Sequence, residues 1–227
     1  MANNIKYREV IGTLMYISTV TRPDITTAVH LLSRKSENPS QQDWKAVKRV
    51  VGYLKGTQDE KLKIQSNGKR LTMYVDADWA QDRESRKSTS GFTILFGDSC
   101  ISWKSKKQTC VALSTCEAEY IALSESAKEL LWILQLTKDM ELDQHNPIPV
   151  YEDNQATIKV AENEKSNFRM KHLDIKFHKI RELITSGVIQ LHHCPTDKMI
   201  ADILTKPLPR IRFEDFKAKL GINKSTE

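Results

Sequence analysis

A chain of 227 residues, 39% hydrophobic and 28% charged, can bury a proper core. It fits one large domain or a main domain with a smaller appendage, and the second is expected. No apolar run is long enough to span a bilayer and no short apolar segment follows a basic start, so membrane and secreted classes are set aside and an intracellular chain is expected. A net charge of +6 and a pI near 9.0 favour a polyanionic partner without identifying it. Cysteines 100, 110, 116 and 194 show no paired spacing and read as reduced and mostly buried. His192, His193 and Cys194 alternate between the faces of an expected strand, which argues against a zinc set.

From Ile5 to Val20, apolar Val10, Leu14 and Ile17 follow helical spacing, and Thr21-Arg22-Pro23-Asp24 gives a stop and a proline-led restart. A second helix runs through Ala28, Leu31 and Leu32 to about Asn38-Pro39. A third begins at the cap Ser40, carries Asp43 in its first turn and ends at Gly56. Lys45, Lys48, Arg49 and Lys55 crowd its outer side as a solvated face. A short edge strand from Lys61 to Gln65 follows, and nothing catalytic shows before it.

Leu71 to Val75 is β-branched and aromatic, a buried strand that ends in Asp76-Ala77-Asp78-Trp79. Asp76 is therefore a candidate, although an Asp pair behind a strand more often starts a turn. Beyond the polar loop Gln81 to Ser90, Gly91–Phe96 and Cys100–Trp103 read as antiparallel strands joined by a tight turn. Ser114 and Glu117 form a capping-box pattern for a long helix with Tyr120, Leu123, Ala127, Leu131 and Leu134 as its buried stripe. Glu117 and Glu119 point roughly 200° apart, so only one is expected to face the sheet, and Glu119 is the better aimed. A carboxylate there is costly unless a cation or a proton relieves it.

Ile148–Tyr151 is a short strand ended by Glu152-Asp153-Asn154, so Asp153 repeats the setting of Asp76, with a helix N-cap as the competing role. A basic helix is expected from Asn167 to Ser186, then a strand from Val188 to Leu191. A final short helix bears Met199, Ala201, Asp202 and Leu204, with Asp202 facing inward. Asp76, Glu119, Asp153 and Asp202 thus come from four separate elements. Clustering four anions requires cations, and an all-oxygen set suits magnesium, with manganese as a substitute. Two such ions ~3.5 to 4 Å apart serve phosphodiester cleavage, one activating water and the other stabilising the leaving oxygen.

At this constellation the sequence resembles the ribonuclease H domain of copia-type retrotransposon Pol polyproteins. The motifs that carry it are YVDADWA (74–80), RKSTSG (86–91), STCEAEYIAL (114–123), VYEDNQA (150–156), KHLDIKFHKIRE (171–182) and ADILTKPLP (201–209). YREVIGTLMYIS (7–18), TRPDI (21–25) and KRVVGYLKGT (48–57) are similar to the end of the reverse transcriptase and its connection. The resemblance implies an α/β fold, a mixed five-stranded sheet flanked by helices. It divides the chain into a helical connection (1–65), a ribonuclease H-like domain (69–209) and a C-terminal tail (210–227).

It also implies hydrolysis of the RNA strand of an RNA–DNA hybrid with two Mg²⁺ ions, Asp76, Glu119, Asp153 and Asp202 serving as metal ligands and catalytic acids. Arg86, Lys87, Ser88, Gln108 and Asn154 are the implied hybrid contacts, and the polymerase domain of the same polyprotein the implied partner. The implied location is the cytoplasm, in a virus-like particle, with a nuclear stage. Two departures stand out: no histidine in Pro195–Met199 matches the mobile histidine of many cellular ribonucleases H, and the Tyr-x-Asp-Asp motif of a polymerase palm is missing. A polyprotein fragment or a silent remnant that binds nucleic acid or docks on a polymerase are the two origins weighed.

Overall fold

The computed structural model describes residues 4–65, 70–142, 144, 147–163 and 174–224, with backbone alone at 174–177. The chain opens with helix α1 (Asn4–Val20), whose buried residues include Tyr7, Ile11 and Leu14. Pro23 begins a single 3₁₀ turn, Pro23–Ile25, that leads into α2 (Thr26–Ser33). α2 stops five residues short of Asn38. Helix α3 (Gln41–Gly56) starts in a reciprocal capping box: Ser40 Oγ accepts from Asp43 N at 3.1 Å and Asp43 Oδ2 accepts from Ser40 N at 2.7 Å. Tyr7, Ile11, Leu14, Ile25, Val29, Leu32 and Val47 form the core of this helical region.

Strand β1 (Glu60–Leu62) is shorter than the expected 61–65 strand and lies outside the main sheet. The main sheet contains β2 (Leu71–Asp78), β3 (Thr89–Phe96), β4 (Ser99–Lys107), β5 (Ile148–Glu152) and β6 (Ile189–His193), in the spatial order β4-β3-β2-β5-β6. β2, β3 and β4 form an antiparallel meander; β5 pairs parallel with β2, and β6 parallel with β5. This is a mixed five-stranded sheet, as the resemblance implies. The basic run from Lys104 continues β4 to Lys107 instead of forming a separate loop.

Helix α4 (Thr115–Asp139) lies across β2 and β3, and α5 (Gln155–Glu162) and α6 (Asp174–Thr185) pack beside it. The first part of the basic helix expected from Asn167, with Arg169, Met170, Lys171 and His172, lies outside the described residues. Along α4 the stripe is Tyr120, Leu123, Ala127, Leu130 and Ile133; Leu131 and Leu134 are only partly buried.

After β6, two 3₁₀ turns, Thr196–Lys198 and Ile200–Leu204, replace the expected short helix. The second packs on the opposite face of β2 and β3. The stretch read as a tail contains helix α7 (Arg210–Lys219) and strand β7 (Ile222–Lys224), and β7 pairs antiparallel with β1. Leu95, Cys100, Ile203, Leu204, Phe216 and Leu220 share one apolar cluster beneath that pair. Pairing across 160 residues or more has no local signal in the sequence.

Candidate active site

Asp76 stands near the end of β2 and is 1% exposed. Directly across the ladder is Gly91. A Cβ there would lie 2.6 Å from Thr205 Cγ2 and 2.9 Å from Leu204 Cβ, so the absent side chain lets the turn through Leu204 settle onto β3. That approach brings the Thr205 hydroxyl onto Asp76 Oδ2 as a donor. The glycine of the RKSTSG motif thus has a steric reason tied directly to the first carboxylate.

Glu119 reaches the same place from the first half of α4. Both Glu117 and Glu119 are buried, contrary to the expectation that one would turn outward, because β2, α5 and α6 enclose this end of the helix. Ser114 Oγ accepts from Glu117 N at 3.1 Å as an N-cap, but Glu117 returns its carboxylate to Leu113 N at 2.7 Å, one residue before the capping-box donor. Glu119 Oε2 has no hydrogen-bond partner among the described residues. Burial, then Glu152, Asp76 and Asp153, push its carboxyl well above the usual range.

Asp153 follows β5 immediately and is partly exposed at the mouth. It is not the cap of α5: Asn154 fills that role, its Oδ1 accepting from Ala156 N at 3.0 Å and Thr157 N at 3.3 Å. Asp153 Oδ2 instead accepts from Thr196 Oγ1 at 2.9 Å. Ligand oxygens of Asp76, Glu119 and Asp153 all lie within 4.8 Å of one another. Repulsion at that spacing, with one buried oxygen unpartnered, fits a hard cation better than protein donors.

Asp202 arrives beside this trio but in a different electrostatic state. Its Oδ1 lies 2.8 Å from Lys206 Nζ, which is also 3.6 Å from Asp76 Oδ1, and its Oδ2 is gripped by Arg212 of α7. Burial and Asp76 still push Asp202 up to about 7. Burial also raises Asp76, against the pull of Lys206 and the Thr205 hydroxyl.

A fifth carboxylate escaped the sequence reading. Glu152 is wholly buried, accepts from Asn154 N at 3.1 Å through Oε1, and leaves Oε2 unpartnered among the described residues. The signal was present: Ile148 and Val150 face the core, and period-two alternation puts residue 152 on that face too.

The proposed contact residues divide in two. Arg86 is exposed with φ +56°, Lys87 is partly exposed beside it, and Asn154 is at the start of α5. Ser88 and Gln108 are buried. Ser88 Oγ accepts from Ala80 N at 3.1 Å, while Gln108 Nε2 donates to Ser90 Oγ at 2.9 Å and Ala118 O at 2.8 Å. Their work is to tie the 81–88 loop, β3 and α4 together. Asp82 anchors the same loop through Ser85 and a 2.6 Å pair with Lys107, with Arg34, the residue that follows α2, at 3.6 Å. Trp79 is half-exposed, and its Nε1 donates to Ala112 O at 3.0 Å.

No protein-family model matches the chain. The Pol polyprotein of transposon TNT 1-94 from Nicotiana tabacum is 40% identical over 219 residues, covering 96% of this chain and 16% of that protein. The Pol polyprotein of transposon RE2 from Arabidopsis thaliana is 38% identical over 220 residues, covering 96% and 15%. The chain therefore spans about a sixth of the length of these two Pol polyproteins. Among solved structures, LC11-RNase H1 isolated from compost superposes with a TM-score of 0.46 at 20% identity, covering 60% of this chain and 92% of that one. With identities near 40% along almost its whole length, this chain belongs to the copia-type retrotransposon Pol polyproteins, of which it matches one segment.

Proposed function

We propose that this chain is a divalent-metal-dependent ribonuclease H that hydrolyses the RNA strand of RNA–DNA hybrids during retrotransposon reverse transcription. The observation that carries the reading is the convergence of Asp76, Glu119 and Asp153 with Glu119 Oε2 left without a donor. Asp76, Glu119 and Asp153 would hold Mg²⁺, or Mn²⁺ in its place, with Asp202 completing the set. Bound there, such ions activate water and stabilise the leaving oxygen of a phosphodiester.

The protein's own groups prepare that chemistry. Thr205 fixes one oxygen of Asp76, and Thr196 fixes one oxygen of Asp153, so each carboxylate keeps a defined orientation. Arg86 and Lys87 offer positive charge on a loop secured by Asp82, where a phosphate backbone would be held without base readout. Asn154 keeps its amide nitrogen for a strand passing the start of α5. The unit taken to perform this is 69–209, with 1–65 as a connection towards a polymerase domain of the same polyprotein, acting in the cytoplasm within a virus-like particle and with a nuclear stage. Among the described residues no helix is long and apolar enough to cross a membrane.

A second reading, a module that grips hybrid without cutting, draws on the double engagement of Asp202 by Lys206 and Arg212. Incubation of the whole chain with strand-labelled hybrid and Mg²⁺ separates the two. Cleavage of the RNA strand that Asp76→Asn abolishes supports the enzyme; salt-sensitive binding with no turnover supports the module and overturns the enzyme.

A further inference from the structure

The acids of the site are not neutralised alike. Asp76, Glu119 and Asp153 crowd together around Glu119 Oε2, which meets neither a donor nor a cation among the described residues, while each Asp202 oxygen faces a protein cation: Oδ1 in an ion pair with Lys206 that makes no hydrogen bond, and Oδ2 in a hydrogen-bonded pair with Arg212. One of these cations, Arg212, comes from the tail helix α7, ten residues beyond the carboxylate it grips. Its position is built rather than incidental. The same guanidinium donates to Thr196 O, and it lies over the Phe216 ring at 5.0 Å, a ring wholly buried in the core. Farther along α7, Phe213 meets Tyr53 of α3 edge-on at 5.9 Å, and Lys217 pairs with Glu60 at 3.0 Å. β7 then pairs with β1. The helix that carries Arg212 is thus clamped at several points to the first segment of the chain.

Resting on the metal-dependent reading above, we infer that Arg212, with Lys206, holds Asp202 as a reserved ligand, so that divalent ions load in order. Asp76, Glu119 and Asp153 would hold one ion without displacing a protein cation, whereas an ion drawing on Asp202 would compete with the two side-chain cations. Lys206 Nζ, near both Asp76 Oδ1 and Asp202 Oδ1, occupies the region the second ion needs. Both competing side chains are about 30% exposed. Arg212 is a positioning residue in this scheme. It reaches the ions only through Asp202.

Calorimetric titration of the whole chain with Mn²⁺, without nucleic acid, tests the order. The wild type is expected to show a tight and a weaker step, and Asp202→Asn to lose the weaker one. Arg212→Gln is expected to tighten the weaker step about fivefold or more while the tight step moves less than about twofold, the scale of a typical coupling between neighbouring sites. Lys206→Gln leaves α7 intact and carries the same expectation, so the test stands if Arg212→Gln does not fold. A weaker step that is unchanged or weakened in the glutamine variants overturns the inference, as does a wild type with a single step. Ordered loading without hybrid cleavage would contradict the proposed function alone; cleavage with unaltered loading in the variants would contradict only this inference.

Discussion

Two buried aspartates in this molecule live under opposite conditions. Asp24, in the TRPDI motif of the helical region, has a fully enclosed side chain, yet every oxygen is answered. Arg22 forks onto it through Nε at 3.0 Å and Nη2 at 2.7 Å, Tyr53 OH donates at 2.7 Å, and Arg22 continues to Thr57. Asp76 is equally buried but lies among Glu119, Asp153 and Glu152, with one hydroxyl donor and a lysine 3.6 Å away. A buried charge with a complete donor set holds a structure together; one deliberately short of donors is disposed to take a cation. The difference separates a structural acid from a chemical one where burial alone does not.

The contrast breaks most visibly at Glu119. Glu119→Gln is expected to lower hybrid cleavage on the order of 10³-fold, as removal of a charge-stabilising group from a reacting centre does. It is also expected to raise the melting temperature measured in EDTA, because a repelled buried charge is gone. Lower stability in EDTA would mean that the trio is as well satisfied as Asp24. Asp24→Asn should do the reverse, costing about 3–5 kcal/mol in urea unfolding by stranding Arg22, while cleavage per folded molecule stays within about twofold. A cost under about 1 kcal/mol would remove the contrast.

Gly91→Ala tests the link between backbone shape and the site. Contacts of 2.6 and 2.9 Å to the 204–205 turn predict a loss of about 2–3 kcal/mol and a weaker Mn²⁺ affinity, since Thr205 is pushed off Asp76. Normal stability and affinity in this variant would show that the turn yields freely. The smallest expected effect belongs to pH. His30 accepts from Lys107 N at 3.2 Å, and burial followed by the Arg34 charge lowers it to about 4. Between that value and an unfolded histidine near 6.5, the unfolded chain binds the extra proton, so this contribution to stability is lost as pH falls through that window. The acid cluster has the opposite sign: with Asp202 raised to about 7, the folded chain holds protons the unfolded chain has released, and its penalty fades as pH falls. Comparing wild type with His30→Gln in urea from pH 7 to 4 should show a difference growing by about 1–2 kcal/mol towards the acid end. Parallel curves would contradict the histidine's role.

The legible parts of this molecule were the ones written locally. Strand-then-carboxylate patterns mark Asp76 and Asp153 because a β run ends where the ladder meets solvent, and helix phase separates Glu119 from Glu117 in aim if not in burial. The capping box at Ser40 is legible for the same reason, spanning four residues. What escaped depends on distant pairing. β1 with β7, Arg212 with Asp202 and Arg34 with Asp82 join elements whose proximity no periodicity encodes. The burial of Ser88 and Gln108 is likewise unannounced by their neighbours in sequence, since the Arg34 side chain, β3 and α4 come to this place from elsewhere in the chain.

The most direct measurement is cleavage of an RNA–DNA hybrid labelled on each strand, with Mg²⁺ titrated over the whole chain and its Asp153→Asn variant. The account predicts Mg²⁺-dependent cuts in the RNA strand alone, leaving 3′-hydroxyl and 5′-phosphate ends, with a loss of about 10²-fold or more in the variant. Cleavage that proceeds in EDTA, or equally in Asp153→Asn, would contradict it, as would an inert wild type that binds the hybrid intact.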